Sequence, residues 1–163
     1  MNFIVNLLIL LPASIASYFA WAGPLVMRLI VGYVFMLSGW GKLNNLPQMI
    51  ENFTEWGIPF PHIMTPFVSG VEFVGGLFLL LGLFTRITAT PLVIIMVVAI
   101  ISAKMGQINS LETLLSFEEV AYMALFGWLA VSGPGPVSLD RLLQGWFGDD
   151  RRNLDIIAAA RTR

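Results

Sequence analysis

The chain contains no cysteine and only one histidine, His62. The missing cysteines exclude a disulfide framework, thiol–disulfide exchange, iron–sulfur ligation by this chain and cysteine-based zinc sites. The single histidine excludes a haem held by two histidines of one subunit. We therefore expect no intrinsic metal or cofactor, and redox chemistry would need a bound organic cofactor or a partner protein.

Charge is also scarce. Charged residues make up 12% of the 163 residues, whereas soluble domains contain about 25%. With 57% hydrophobic residues, the chain lacks the polar surface that water requires, so a lipid bilayer is its expected environment. The net charge is −1 and no basic stripe alternates with aromatic residues, so nucleic acid is not an expected partner.

Long apolar runs are what the chain has instead. Judged against the roughly 20 apolar residues of a spanning helix, four segments are predicted to span. They cover about residues 24–43, 66–84, 90–104 and 117–132. The GPGP sequence at 133–136 ends the fourth, whose start nearer Leu111 stays open. The pattern predicts an all-α integral membrane four-helix bundle.

Residues 1–22 form a separate N-terminal apolar segment, which could be a fifth span, a signal peptide or a helix in the membrane interface. The absence of a basic start disfavours a signal peptide. We favour the interfacial helix, because one helical arc collects the polar residues Asn2, Asn6, Ser14 and Ser17. Residues 23–133 then form the transmembrane domain, and residues 134–163 form a juxtamembrane tail.

Two short amphipathic helices are predicted outside the spans. In the connection at 44–65, apolar residues recur at helical spacing, namely Leu46, Met49, Ile50, Phe53 and Trp56. In the tail, Ser138 is a plausible N-cap in front of an apolar stripe that contains Leu139 and Leu142.

The basic residues are distributed unevenly between the two sides of a four-span topology. One side carries seven arginines and the other carries only Lys42 and Lys104. The positive-inside rule therefore places both termini in the cytoplasm and the protein in the plasma (inner) membrane as a multi-pass chain.

Glu72 is the most informative residue, because it lies in the middle of an apolar span. A carboxylate at that depth is costly unless it is paired, hydrated or protonated, so it marks a candidate functional site. On the second span it shares a face with Ser69 and Gly76, and on the first span the corresponding face carries Gly39 and Lys42. Small residues let two membrane helices approach closely, so we predict that these faces meet and that Lys42 pairs with Glu72.

The remaining polar and charged residues can have either a functional or a structural role. Lys104 and Tyr122 are expected at the level of the Glu72 pair and join it as candidate ligand residues. A purely structural ion pair remains an equal alternative for Lys42 and Glu72. Arg28 and Arg86 are expected to snorkel to the interface as anchors. His62 is read as an exposed loop residue, and Glu118 and Glu119 as ordinary acids of a helix N-terminus.

The order and spacing of four segments resemble the DoxX family of small four-span membrane proteins. These segments are RLIVGYVFMLSGWGKL (28–43), GIPFP (57–61), VEFVGGLFLLLGLFTRITA (71–89) and SGPGPVSLDRLL (132–143). The N-terminal run and the last twenty residues fall outside the resemblance. Carried over by position, it marks Gly39, Lys42, Glu72, Gly76, Gly82, Arg86, Gly133, Pro134, Gly135, Ser138 and Asp140.

The resemblance implies a redox-associated role, since the family is similar to subunits of a membrane thiosulfate:quinone oxidoreductase. The expected function is a subunit that binds a quinone or similar lipophilic molecule, together with a membrane or soluble redox partner. Two alternatives stay open: a non-enzymatic accessory or assembly subunit, and a small proton-coupled permease. Whether the chain is an enzyme or forms a homo-oligomer also stays open.

Overall fold

A computed structural model describes residue 8 and residues 11–146 of the chain, and no strand occurs among them. The helices are α1 (Leu11–Phe19), α2 (Ala22–Asn44), α3 (Leu46–Glu55), α4 (Pro61–Leu81), α5 (Thr85–Ala99), α6 (Leu111–Leu115) and α7 (Glu118–Ser132). Helix α5 continues through a π-helical turn, Ile100–Lys104, and a 3-10 turn, Met105–Gln107. Residues 139–146 are helical again.

Within the described residues, three helices are long and apolar enough to cross a membrane: α2, α4, and α5 with its continuation to Gln107. Helix α7 has 15 residues, or about 22 Å at 1.5 Å per residue, which is shorter than the roughly 30 Å of a bilayer core. Large apolar side chains cover the outside, including Ile94 at 58% and Val131 at 77% exposure. Such a surface suits lipid rather than water, so the predicted all-α membrane protein is confirmed.

The four long helices form two antiparallel pairs. Helix α2 packs along α4, and α5 packs along α7, while α4 also contacts α5 and α2 contacts α7. The core lies between the pairs and is built on Phe35, which meets the rings of Tyr122 and Phe126 edge-to-face at 5.2 and 4.7 Å. Edge-to-face contact is a favoured aromatic geometry. The α2–α4 pair and the α5–α7 pair therefore pack against each other as one four-helix bundle.

Two ends of the bundle can be distinguished. The "pair end" carries Lys42, Lys104 and Glu119, at the end of α2, the end of the α5 continuation and the start of α7. The "arginine end" carries Arg28 near the start of α2 and Arg86 at the start of α5. Helices α2, α4, α5 and α7 each run from one end to the other, so successive long helices point in opposite directions, as the sequence predicts.

Glycines set how closely α2 and α4 approach. A Cβ added to Gly39 would lie 2.7 Å from the Cα of Phe73, and one added to Gly76 would lie 2.8 Å from the Cα of Met36. These obstacles are backbone atoms, which cannot move aside as a flexible side chain can. The predicted meeting of the two small-residue faces is therefore confirmed.

Two helices begin earlier than the sequence indicates. Helix α4 begins at Pro61 rather than near Pro66, and α5 begins at Thr85 rather than near Pro91, so each proline lies inside its helix. The residues in front of the two helices, Phe60 and Phe84, have positive φ angles of 53° and 48°. In α4 a different proline, Pro61, takes the first position that proline favours, whereas α5 begins with Thr85 directly after the left-handed Phe84.

The segment that follows α7 closes the arginine end. Asp140 accepts hydrogen bonds from the backbone amides of Phe84 (2.6 Å) and Thr85 (3.0 Å), and its own amide donates to Gly82 at 2.9 Å. It thus satisfies amides that the start of α5 leaves free. The predicted cap at Ser138 is present, since its Oγ accepts from the amide of Arg141 at 3.3 Å.

Arg28 departs from the expectation. It is 3% exposed rather than snorkelling to the interface, and it donates to the carbonyls of Pro134 (3.1 Å) and Val137. The GPGP segment folds back over it, so its charge is met by backbone oxygens. Gly82 lies against the same guanidinium with a φ of 66°, leaving no room for a side chain. Arg86 is exposed, and its anchoring role stays a prediction.

Some sequence predictions fall partly outside the described residues. The amphipathic helix at 44–65 is confirmed as α3. Most of residues 1–10 and all of 147–163 are outside the described part, so the choice between an interfacial and a fifth spanning helix stays a prediction, as does the division at 22 and 133.

The glycine contact predicts a difference between neighbouring glycines. Gly39→Ala and Gly76→Ala should each destabilise the bundle by about 1–3 kcal/mol, because the new methyl group meets backbone. Gly41→Ala and Gly70→Ala are matched controls on the same helices, with nothing within 4 Å of the added Cβ. They should be neutral or slightly stabilising, since alanine favours helix. Denaturation midpoints in detergent followed by circular dichroism measure this, and equal losses in all four variants would contradict it.

Candidate functional site

The centre of the candidate site is an ion pair inside the bundle. Lys42 Nζ lies 2.7 and 2.6 Å from the Oε1 and Oε2 atoms of Glu72, and Ser38 Oγ lies 3.4 Å from Oε2. The Glu72 side chain is 2% exposed, whereas that of Lys42 is 30% exposed. The predicted pair is therefore present, with a sequestered carboxylate and a partly exposed lysine side chain.

Local helix geometry explains why these two side chains meet. The Cα–Cβ bond in a helix leans toward the N-terminus, so Lys42 leans into the bundle from the end of α2. Glu72 leans toward the pair end from α4. The earlier start of α4 at Pro61 puts Glu72 eleven residues into the helix, about 16 Å from its beginning. Glu72 thus lies further from the start of its helix than the sequence indicates.

An "apolar cavity" of about 290 Å³ lies on one side of the ion pair. Helices α3, α4 and α5 and the connection after α3 form its wall, and the ion pair supplies its main polar groups. The wall consists of Phe53, Trp56, Ile58, Met64, Phe67, Val68, Ile94, Ile95, Val98, Ala99 and Ser102 together with Lys42 and Glu72. Helix α3 covers this space through Phe53, which is 5% exposed.

A "polar cavity" of about 280 Å³ lies on the other side of the pair. It is formed by α2, the end of α5 and the start of α7. Its polar lining consists of Ser38, Lys104, Glu118, Glu119 and Tyr122 in addition to Lys42 and Glu72, and the rest of the wall is apolar: Val34, Phe35, Trp56, Met96, Ala99 and Ala103. Four residues border both cavities, namely Lys42, Trp56, Glu72 and Ala99. The ion pair therefore lies at the boundary between an apolar and a polar space.

A second ion pair borders the polar cavity. Lys104 Nζ lies 2.7 Å from Glu119 Oε2 and 4.9 Å from the centre of the Phe117 ring. Lys104 belongs to the π-helical turn at the end of α5. A π-turn holds more residues than an α-turn, so it rotates the following side chains, and such turns are frequent at functional sites. Here Lys104, the last residue of the π-turn, is the residue that pairs with Glu119 of α7.

The structure brings together four of the five candidate ligand residues. Glu72, Lys42, Tyr122 and Lys104 all border the polar cavity. Ser69 does not border either cavity: it is fully buried, and its Oγ donates to the carbonyl of Thr65 at 2.7 Å. Ser69 is placed at the α2–α4 contact, where it serves packing.

The sequence predictions missed three contributors. Ser38 lies one helical turn before Lys42, a spacing that could have indicated it. Trp56 borders both cavities because the chain turns back after α3. Glu119, read as an ordinary N-terminal acid, pairs with Lys104, and only the contact between α5 and α7 reveals this.

Other titratable groups lie away from the ion pair. His62 is exposed in the first turn of α4, outside both cavities. Arg28, Arg86 and Asp140 belong to the arginine end. Among residues 11–146, no group of three histidine or carboxylate side chains is arranged to hold a metal ion.

Comparison with known proteins agrees with this architecture. A model of the DoxX family matches residues 23–105. Inner membrane protein YqjF of Escherichia coli is 31% identical over 121 residues, covering 74% of this chain and 92% of that protein. The uncharacterized membrane protein Rv3486 of Mycobacterium tuberculosis is 38% identical over 128 residues, covering 72% of this chain and 78% of that protein. The chain belongs to the DoxX family, and it is a multi-pass membrane protein.

A more partial relative carries a functional name. The protein named "Putative oxidoreductase CatD" of Bacillus subtilis is 30% identical over 83 residues, covering 51% of this chain and 60% of that protein. No solved structure matches the chain.

The unequal exposure of the ion pair predicts unequal effects of removing its members. Lys42→Met should destabilise by about 3 kcal/mol or more, because it leaves the buried Glu72 carboxylate unpaired. Glu72→Gln should cost about 1–2 kcal/mol, since the remaining ammonium group reaches water. Adding Glu72→Gln to Lys42→Met should recover part of the loss.

Denaturation midpoints in detergent measure these effects, with Glu51→Gln on the exposed face of α3 as the matched control. A Lys42→Met variant no less stable than Glu72→Gln would show that the carboxylate does not depend on its partner.

Proposed function

We propose that the chain is a redox-associated membrane subunit that binds a quinone, or a similar lipophilic molecule with polar oxygens, beside the Lys42–Glu72 pair. The observation that carries this proposal is the placement of the partly exposed Lys42 side chain at the wall of the apolar cavity. An apolar space with a few convergent polar groups is the usual composition of a small-molecule site.

The size and lining of the apolar cavity fit a ring-shaped head group. Its volume of about 290 Å³ lies just below the roughly 300–1,000 Å³ of ligand pockets. Phe53, Trp56 and Phe67 contribute aromatic surface. Phe67 also borders a shallow apolar groove between α4 and α5 that passes Gly70 and Gly75. A hydrocarbon tail attached to the head group would lie there, next to lipid.

The polar atoms fit the oxygens of such a head group. A lysine ammonium carries three N–H donors and no acceptor, and Glu72 takes two short contacts from it. One N–H is left to donate to a carbonyl oxygen of the ligand. The Glu72 carboxylate can accept from a ligand hydroxyl. A bound quinone would supply two-electron, two-proton chemistry, and the chain's residues would orient it and hold a proton at Glu72.

The comparisons add a weaker support. CatD carries the word oxidoreductase in its name, and its match covers 51% of this chain. The electrons for such a role would come from a membrane or soluble redox partner. Enzyme activity of this chain by itself is not part of the proposal.

A non-enzymatic assembly subunit is the second candidate function, and one observation favours it. Glu72 is already satisfied by Lys42 and lies within the tight α2–α4 contact, so the pair could serve only to fix the two helices. No such observation favours the permease hypothesis. The helices that carry Lys42 and Glu72, α2 and α4, are continuous, whereas transporter sites are typically formed by broken helices.

The orientation in the membrane is part of the proposal. Arg28, Arg86 and Arg141 lie toward one end of the bundle, and the pair end carries the two lysines. The positive-inside rule assigns the arginine end to the cytoplasm. The ligand site would then lie in the outer half of an inner membrane.

The binding proposal predicts that the purified protein carries quinone. Extraction and mass spectrometry should find about one quinone per chain, and a short-chain quinone should quench tryptophan fluorescence through Trp56. Glu72→Gln should raise the dissociation constant about tenfold or more, because a hydrogen bond to a charged group is lost. Glu51→Gln, which changes an exposed carboxylate outside both cavities, should bind as the unaltered chain does. Quinone at the lipid background, or equal binding by both variants, would favour the assembly role.

The orientation proposal predicts opposite labelling of two exposed serines. The chain has no cysteine, so Ser116→Cys at the pair end and Ser132→Cys at the arginine end each introduce one thiol. A thiol reagent that does not cross membranes should label Ser116→Cys in intact cells and Ser132→Cys only after permeabilisation. The reverse result would place the arginine end outside.

A further inference from the structure

The polar cavity connects the buried Glu72 carboxylate with the surface of the pair end. Glu72 is 2% exposed and borders the cavity at its inner side. Glu118 borders the same cavity and is exposed at the start of α7, and Glu119 is partly exposed beside it. One continuous space thus extends from an exposed carboxylate to a buried one.

The polar groups of this cavity can hold water, although Val34, Phe35 and Met96 add apolar surface to its wall. Its volume of about 280 Å³ corresponds to roughly nine waters at about 30 Å³ each. Ser38, Tyr122 and the charged side chains supply several hydrogen-bonding groups around it, and an internal water needs two to four such partners. The apolar cavity lacks such a set, so the two spaces differ in what they can hold.

The charges around Glu72 favour a cation. From α2 Glu72 is faced by Lys42, and from the end of α5 by Lys104. Helix α7 contributes Glu118 and Glu119, as well as the Tyr122 hydroxyl. The cavity therefore has three carboxylates against two ammonium groups. A cleft with an excess of one sign concentrates ions of the opposite sign.

We propose that the polar cavity is a water-filled vestibule that conducts protons between the solution at the pair end and Glu72. The step moves one proton and no electrons: a hydronium ion in the vestibule gives its proton to a Glu72 carboxylate oxygen and remains as water. The Lys42 ammonium then loses its ionic partner and turns to water or to the ligand. The use of this proton at a quinone rests on the proposed function, but the water access of Glu72 does not.

Cysteine accessibility tests the vestibule in the otherwise unaltered chain, which has no cysteine of its own. Ser38→Cys places a thiol in the polar cavity, and Ser69→Cys places one in the dry α2–α4 contact of the same pair of helices. Charged, water-soluble methanethiosulfonates should modify Ser38→Cys at least about tenfold faster, because Ser69 is reached only when the helix contact opens. Equal and slow modification of the two variants would overturn the vestibule.

Reagent charge tests the cation preference. With rates normalised to the exposed Ser116→Cys, a cationic reagent should modify Ser38→Cys about tenfold faster than an anionic reagent of similar size. Both reagents attack the same thiolate, so the reactivity of that thiolate cancels in the ratio. Adding Glu119→Gln should lower the ratio severalfold, whereas adding Glu51→Gln should leave it unchanged. A ratio near one, or one insensitive to Glu119→Gln, would overturn the proton-conducting role.

The same preparations separate this proposal from the binding proposal. Their quinone content and their labelling are measured independently. Rapid, cation-selective labelling of Ser38→Cys without bound quinone would support the vestibule and reject the quinone site. Bound quinone with an unreactive Ser38→Cys would reject the vestibule alone.

Discussion

The structure depends on giving one buried carboxylate a partner inside a membrane helix bundle. Glu72 is nearly fully buried, and a buried charge that loses its partner is strongly destabilising. Lys42 can supply that partner only if α2 and α4 lie very close together. Gly39 and Gly76 allow this approach, because a methyl group at either position would overlap backbone of the opposite helix. The ion pair therefore depends on the glycine contact.

The position of the ion pair gives the pair end its chemistry. On one side the pair meets an aromatic and aliphatic space beneath α3, and on the other it meets a space lined by charged and hydroxyl groups. A lipophilic ligand and water can thus approach the same two side chains from different directions. At the arginine end, by contrast, the segment after α7 covers the bundle, because Arg28 and Asp140 hold it against the starts of α2 and α5.

Much of the architecture was predictable, because membrane spans and close helix contacts leave direct marks in a sequence. Apolar length indicated the spans, and the shared face of Gly39 with Lys42 and of Glu72 with Gly76 indicated the pair. Helix starts were less predictable. The amides at the start of α5 are satisfied by Asp140, 55 residues further along the chain. The sequence near Thr85 contains no pattern that would predict such a cap. The predicted exposure of Arg28 was wrong for the same reason, since the carbonyl groups that accept its hydrogen bonds lie in the segment after α7.

The sequence by itself determined the membrane environment, the all-α class, and the pairing of Lys42 with Glu72. These follow from composition and helical periodicity, which are local properties. Only the tertiary structure decided that Lys104 pairs with Glu119, that Trp56 borders two cavities and that Ser69 borders neither. These facts depend on how α5 meets α7 and how the chain returns after α3. Contacts between distant elements are set by packing across the whole bundle, and no single segment encodes them.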